Sequence, residues 1–192
     1  MPELILASTS AYRRTLLERL HLPFTAVAPD VPEDPLAGEL PPDRALRLSI
    51  AKAQAVCARY PRAVVIGSDQ VACDGHKVLG KPGDAAHCRA QLAGVSGSSV
   101  RFHTGCAVIG LDAAIRLVHL DTTTVFFRVL DEQEIDRYVE RERPFDCAGG
   151  FRAEGLGISL FESIESVDPT ALIGLPLIWL AGALRRAGFA LP

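Results

Sequence analysis

Apolar and polar positions follow two periods along this chain, and each change of period marks an element. Residues 3–7 (ELILA) form an apolar run that predicts a first strand. Residues 11–20 switch to helical spacing, with Leu16, Leu17 and Leu20 on one face and Ser10 or Thr9 placed to cap it. A strand over 24–28 lies in an otherwise loop-like stretch, 22–42. Its six prolines, at 23, 29, 32, 35, 41 and 42, keep it out of a central sheet. A helix follows over 43–60. Leu46, Ile50, Ala53 and Cys57 are its apolar stripe, Asp43 its candidate cap, and Lys52 stands on the flank of the stripe.

The next stretch, 63–74 (AVVIGSDQVACD), organises the rest. Four apolar residues lead into Gly67-Ser68-Asp69-Gln70, which predicts a buried strand delivering polar side chains at its carboxyl end. Ligands of open α/β sheets bind beyond such strand ends. A turn explains the same residues, with Gly67 for the bend and Ser68 and Asp69 bonding local backbone. Asp74-Gly75 predicts a hairpin turn, and the return strand 77–79 ends in Gly80-Lys81-Pro82, bringing Lys81 back towards Asp69. A short helix over 84–92 and a loop over 94–99 come next. Two long strands, 100–111 and 115–129, flank a turn at 112–114 and alternate only in part, so a half-covered sheet is expected. Asp131 and Glu134 form a capping box for a helix over 132–141 that buries Ile135, Tyr138 and Val139. Glycines at 149, 150, 155 and 157 precede a strand over 158–164. The apolar run 171–184 contains Gly174, Pro176 and Gly182 and is too short to cross a bilayer; it reads as a buried terminal helix, 175–186, with Pro176 in its first turn.

Composition narrows the class. With 192 residues and 48% hydrophobic content, and a mean hydropathy of +0.20, one α/β domain over 1–192 with a sizeable core is expected. A net charge of −3 and a pI near 5.9 argue against a nucleic-acid polymer or an anionic membrane as partner. The five cysteines, 57, 73, 88, 106 and 147, are odd in number and lack CxxC spacing, so neither a disulfide framework nor a zinc site is indicated. Scattered thiols suit a reducing cytosol, and no basic-then-apolar leader is visible, so a cytoplasmic location is expected.

The candidate chemistry is local. Arg13 and Arg14 oppose the dipole of the first helix unless an anion binds at its N-terminus; a plain cap with solvated arginines is the other reading. The loop carrying Asp30, Glu33, Asp34 and Glu39 is either a solvated acidic face or a source of metal carboxylates. Lysines and arginines beside carboxylates suit a metal–polyphosphate substrate, and no Walker A pattern is present.

These residues fall into motifs that resemble a known family. Ser8-Thr9-Ser10-Ala11-Tyr12-Arg13-Arg14-Thr15-Leu16-Leu17, Lys52 within Ala51-Lys52-Ala53-Gln54, Gly67-Ser68-Asp69-Gln70, Gly80-Lys81-Pro82, Thr104-Gly105 and Gly174-Leu175-Pro176-Leu177 look like the Maf nucleoside triphosphate pyrophosphatases, in order and over nearly the whole chain. Gln70, Cys147-Ala148-Gly149, Glu154 and Asp168-Pro169 resemble the YceF-type branch, which acts on 7-methyl-GTP. The resemblance implies a Maf/ITPase-like fold, with a long twisted mixed sheet flanked by helices and two lobes around a central cleft. It also implies cleavage between the α- and β-phosphates, with Mg²⁺ or Mn²⁺ as cofactor and a homodimer compatible with the family. By position, Asp69 matches the proton acceptor, and Glu33 with Asp69 the metal carboxylates, while Pro32 before Glu33 leaves open whether Asp34 joins. Ser8, Ser10, Arg13, Arg14, Lys52 and Lys81 match phosphate-binding positions, and Tyr12, Gln70 and Glu154 those that set base specificity. Cys147 is read as structural. Two alternatives stay in view: a UTP- or dTTP-directed enzyme, and a nucleotide-binding regulator of septum formation. Intact Asp69, Lys52 and Lys81 favour an enzyme over the regulator.

Overall fold

The computed structural model describes residues 2–75, 77–112 and 114–192. Its strands are β1 Leu4–Ala7, β2 Thr25–Ala26, β3 Val64–Asp74, β4 Lys77–Leu79, β5 Ser99–Gly110, β6 Ile115–Phe127 and β7 Phe161–Glu165. Its helices are α1 Ala11–Glu18, α2 Pro41–Arg59, α3 Ala85–Val95, α4 Glu132–Glu142 and α5 Leu177–Arg186. The strands form a mixed seven-stranded sheet in the order β2-β1-β3-β5-β6-β7, with β4 paired to β3. β1 is parallel to both β2 and β3, whereas the β3–β4 and β6–β7 pairs are antiparallel.

The chain divides into two compact units. Unit 1 is Met1–Gln70, His103–Asp121 and Asp168–Pro192; unit 2 is Val71–Phe102 and Thr122–Val167. In unit 1 the sheet is covered on both faces, which is why β1 reads as an unbroken apolar run. Leu4 and Leu6 pack with Leu16, Leu17, Leu180 and Leu184 of α1 and α5. Ile5 and Ala7 pack with Ala53, Val56 and Cys57 of α2. In unit 2, Phe102, Phe127, Phe151 and Phe161 meet edge to face at centroid separations of 4.9 to 5.4 Å. The capping box at Asp131 and Glu134 is present, and α4 buries Ile135, Tyr138 and Val139 as its spacing predicts. Cys57, Cys73, Cys88 and Cys106 are buried free thiols, and Cys147 is half-buried.

Several boundaries move for identifiable reasons. Pro41 and Pro42 do not belong to the loop: they occupy the first positions of α2, where a missing N–H costs nothing, and Leu40 rather than Asp43 is the N-cap. The strand expected over 24–28 shrinks to two residues on the sheet edge. α3 runs on to Val95, into the expected loop. Residues 156–160 form a 3-10 turn, so β7 begins at Phe161 rather than 158. Gly157 explains this, since a Cβ there would lie 2.3 Å from the Arg152 carbonyl oxygen. The terminal run breaks at Gly174, whose φ of +128° ends a 3-10 turn at Ala171–Ile173, and α5 starts only at Leu177, with Pro176 as its N-cap. The turn expected at Asp74-Gly75 leads into His76, and that at 112–114 includes Ala113; both residues lie outside the described ones.

Candidate active site

The stretch Gly67-Ser68-Asp69-Gln70 is neither a turn nor a strand end. It lies inside β3, which continues to Asp74 because the apolar residues after Gln70 keep the ladder going. Gly67 makes no bend there. A Cβ on it would lie 2.2 Å from the Ser49 carbonyl oxygen and 2.6 Å from Ala53 N, so glycine lets β3 press against α2. Gly105 does the same on β5, where a Cβ would meet the Ala45 carbonyl oxygen at 2.3 Å.

That approach puts Asp69 within reach of α2. Lys52 Nζ lies 2.6 Å from Asp69 Oδ1 and 2.7 Å from Glu33 Oε1. Lys52 is therefore not on the flank of the helix. It sits on the buried face with Ala45, Leu48, Ser49, Ala53 and Val56, and the expected stripe residues Leu46 and Ile50 are only half-buried. Burying an ammonium is tolerable because two carboxylates meet it. Lys52 and Asp69 are 6% and 7% exposed, while the Glu33 side chain is 57% exposed.

Glu33 reaches Lys52 because its loop is fastened to α2. Arg44 Nη2 donates to the Glu33 carbonyl at 2.9 Å, and Arg47 Nη2 to the Asp34 carbonyl at 3.1 Å. Arg47 also grips the Glu39 carboxylate through two nitrogens, at 2.5 and 2.8 Å. That hydrogen bonding pulls Glu39 down to about 2. Asp34 thus contributes its carbonyl to the fastening, and its side chain is exposed.

Strand alternation sends Asp69 and Gln70 to opposite faces of β3. Asp69 looks to α2, whereas Ser68 and Gln70 look to the segment after Asp168. Gln70 Nε2 donates to Thr104 Oγ1 and to the carbonyls of Ala171 and Leu172, each at 3.0 Å. Carbonyls only accept, so the NH₂ group must face them and Oε1 faces away as an acceptor. Ser68 Oγ donates to the Gly174 carbonyl at 2.8 Å, and Arg13 Nε donates to the same oxygen at 3.1 Å. Burial lowers the Arg13 pKa, opposed by the nearby Asp69, Cys106 and Glu33. Burial pushes the Cys106 thiol up to about 12, so it stays protonated beside Arg13.

At the start of α1, Ser10 Oγ accepts from Arg13 N at 3.4 Å and Ser8 Oγ accepts from Ser10 N at 3.1 Å. Each hydroxyl still has its proton to donate. Ser8 is buried, Tyr12 and Arg13 are half-buried, and Arg14 is exposed. Lys81 and Glu154 belong to unit 2, and both are exposed. Glu154 rides on a turn held at its base: Glu142 accepts from Arg152 Nη1 at 3.0 Å and Leu156 N at 2.9 Å, and Tyr138 Oη accepts from Arg152 N at 3.0 Å. Sequence reasoning passed over Ser68, Thr104 and the carbonyls of 171–174 as site-forming groups. Their signals in the sequence were the motifs Gly67-Ser68-Asp69-Gln70, Thr104-Gly105 and Gly174–Leu177.

The sequence pattern described as Maf-like protein matches residues 3–187. The chain belongs to the Maf family. It is 56% identical over 192 residues, all of both chains, to a protein of Xanthomonas oryzae pv. oryzae (strain MAFF 311018) named 7-methyl-GTP pyrophosphatase. A protein of Aromatoleum aromaticum with the same name is 52% identical over 190 residues, 99% of this chain and 98% of that one. Among solved structures, the Ham1 protein of Staphylococcus aureus aligns with a TM-score of 0.46 at 14% identity, covering 65% of this Maf-family chain and 71% of its own. Among the described residues, no helix is long and apolar enough to cross a membrane.

Proposed function

We propose that this Maf-family chain hydrolyses 7-methyl-GTP to 7-methyl-GMP and diphosphate. The observation that carries the reading is the buried Lys52 ammonium between Asp69 and Glu33, in a chain whose full-length relatives carry the name of that activity. Two carboxylates and a cation at one point are what a phosphoanhydride needs: one group to take a proton from water, others to balance phosphate charge.

Asp69 Oδ1 is engaged by Lys52, so Oδ2 takes the proton of the attacking water. Lys52 holds Asp69 in place and, with Arg13, offsets charge on the phosphates. Arg13 commits Nε to Gly174, and its Nη groups are the part of the fork that meets phosphate oxygens. The Ser8 and Ser10 hydroxyls donate at the N-terminus of α1, and Arg14 adds positive charge there. Lys81 and Glu154, in unit 2, are assigned phosphate and base contacts from the family resemblance.

A divalent cation, Mg²⁺ or Mn²⁺, fits the donor set of Glu33 and Asp69. Both donors are oxygens, and exposed Glu33 is reachable by a hydrated ion. Among the described residues no three His, Cys, Asp or Glu side chains gather as a cage, so phosphate oxygens and water would complete the shell. When bound, such an ion polarises phosphate oxygens.

The carboxylate of Glu154 suits the N1–H and N2–H donors of guanine. Methylation at N7 makes the base cationic, and an aromatic face such as Tyr12 then favours it by about 0.5–2 kcal/mol. The test is diphosphate release from 7-methyl-GTP, GTP, UTP, dTTP, CTP and ATP, with Mg²⁺ or Mn²⁺ and with chelator. Preference for 7-methyl-GTP, abolished by chelator, is expected. Preference for UTP or dTTP would overturn the assignment of Tyr12, Gln70 and Glu154, and binding without turnover would overturn the enzyme reading.

A further inference from the structure

We propose that Asp168 and Thr170 are positioning residues that act through the arch 171–174 on Arg13, Ser68 and Gln70; this rests on the reading of unit 1 as a phosphoanhydride-cleaving site. Asp168 and Thr170 are polar, yet only 2% and 9% exposed. They are bonded to each other and to the start of α5. Asp168 Oδ1 accepts from Thr170 N at 3.0 Å and Thr170 Oγ1 at 2.6 Å, and Asp168 Oδ2 accepts from Ile178 N at 2.6 Å. Thr170 Oγ1 accepts from Leu177 N at 2.9 Å, and its single proton is shared between Asp168 and the Leu175 carbonyl, 2.8 Å away. The two ends of the segment, 168–170 and 175–178, are thereby tied together, and 171–174 is the arch between them.

The arch turns its carbonyls towards the candidate site. Ala171 O accepts from Thr104 Oγ1 at 2.9 Å and from Gln70 Nε2, Leu172 O from Gln70, and Gly174 O from both Ser68 and Arg13. A helix cap alone accounts for the bonds to Leu177 N and Ile178 N. It does not account for an arch in which three carbonyls each hold a side chain from β3 or α1. Arg13 has many rotamers, and a single bond at Nε, to a carbonyl that is itself fixed, selects among them before substrate arrives. Gly174 is also held within the arch, its N–H donating to the Ala171 carbonyl at 2.9 Å; its φ of +128° is one that few residues adopt, and a Cβ there would lie 3.3 Å from Arg13 Cγ and Nε.

The test compares the full-length wild-type chain with Thr170→Val, Thr170→Ser and Asp168→Asn. Two readouts are taken well below each melting temperature: the solvent-exchange rate of the Arg13 Nε–H by NMR, and kcat/KM for diphosphate release from 7-methyl-GTP. In Thr170→Val, Nε–H exchange should quicken and kcat/KM should fall, each by about tenfold or more, the equivalent of one lost hydrogen bond. Thr170→Ser should restore both to near wild type. Combining Thr170→Val with Arg13→Ala should cost little beyond Arg13→Ala alone, because both act through one group. Unchanged Nε–H exchange in folded Thr170→Val, or additive losses in the double variant, would overturn the proposal. If Thr170→Val does not fold, Asp168→Asn is read by the same two criteria. If the wild-type chain releases no diphosphate, the functional reading fails, and the exchange readout still decides the positioning.

Discussion

Asp69 carries the most specific expectations at the scale of single residues. It is buried, it is bonded through one oxygen to Lys52, and Asn matches its shape. Asp69→Asn should therefore keep the fold and lose turnover by about 10²–10⁴, the range of a general base. Near-normal diphosphate release would remove Asp69 from the chemistry. Glu154 sits on a braced turn, and Glu154→Gln keeps that brace while removing the charge. The ratio of kcat/KM for 7-methyl-GTP over GTP should fall by about three- to tenfold; an unchanged ratio means that the carboxylate does not read the base. The sequence singled out both, Asp69 as an acid after an apolar run and Glu154 as part of a motif. The orientation of Gln70 was not, because the carbonyls that turn its amide lie a hundred residues away along the chain.

At the scale of elements, the acidic loop before α2 is the informative case. The residues of the loop offered four carboxylates, and only the family resemblance singled out Glu33 among them. The structure separates Glu33, which meets Lys52, from Glu39, which is clamped by Arg47. The Glu39 pKa is depressed from 4.5 to about 2, so the unfolded chain binds this proton more readily than the folded one. The contribution of the clamp is whole above about pH 4.5 and is lost as pH falls through about 2. A carbon-13 titration of the Glu39 carboxyl should show a midpoint near 2, returning towards 4.5 in Arg47→Ala. A normal midpoint in the wild-type chain would mean that the clamp does not form in solution. In Arg47→Ala the loop carrying Glu33 also loses its bond at the Asp34 carbonyl.

For the molecule as a whole, layer spacing in unit 1 decides whether the site assembles. Lys52 meets Asp69 only because Gly67 lets β3 lie against α2. Gly67→Ala forces a Cβ into the Ser49 carbonyl, and the layers must part. A loss of about 1–3 kcal/mol in stability is expected, with turnover falling further than in a surface variant of equal stability. Chemical denaturation and diphosphate release, measured together, check this; a wild-type melt with wild-type activity would show that the layers are not in contact there.

The sequence by itself determined the α/β class and most elements, and it singled out polar residues with chemistry to offer. Those properties depend on periodicity and residue type within short windows, which a linear reading captures. Only the tertiary structure decided that Gly67 is a contact rather than a bend, that Lys52 is buried rather than on a flank, and that Gln70 turns its amide to the carbonyls of Ala171 and Leu172. It also decided that 171–174 is a separate 3-10 turn closed by Gly174 rather than part of the terminal helix. Each of these depends on partners far apart in sequence: a carbonyl on α2, a carboxylate on β3, a hub at Asp168. A group takes its charge state, orientation and burial from such partners, and no local pattern encodes them.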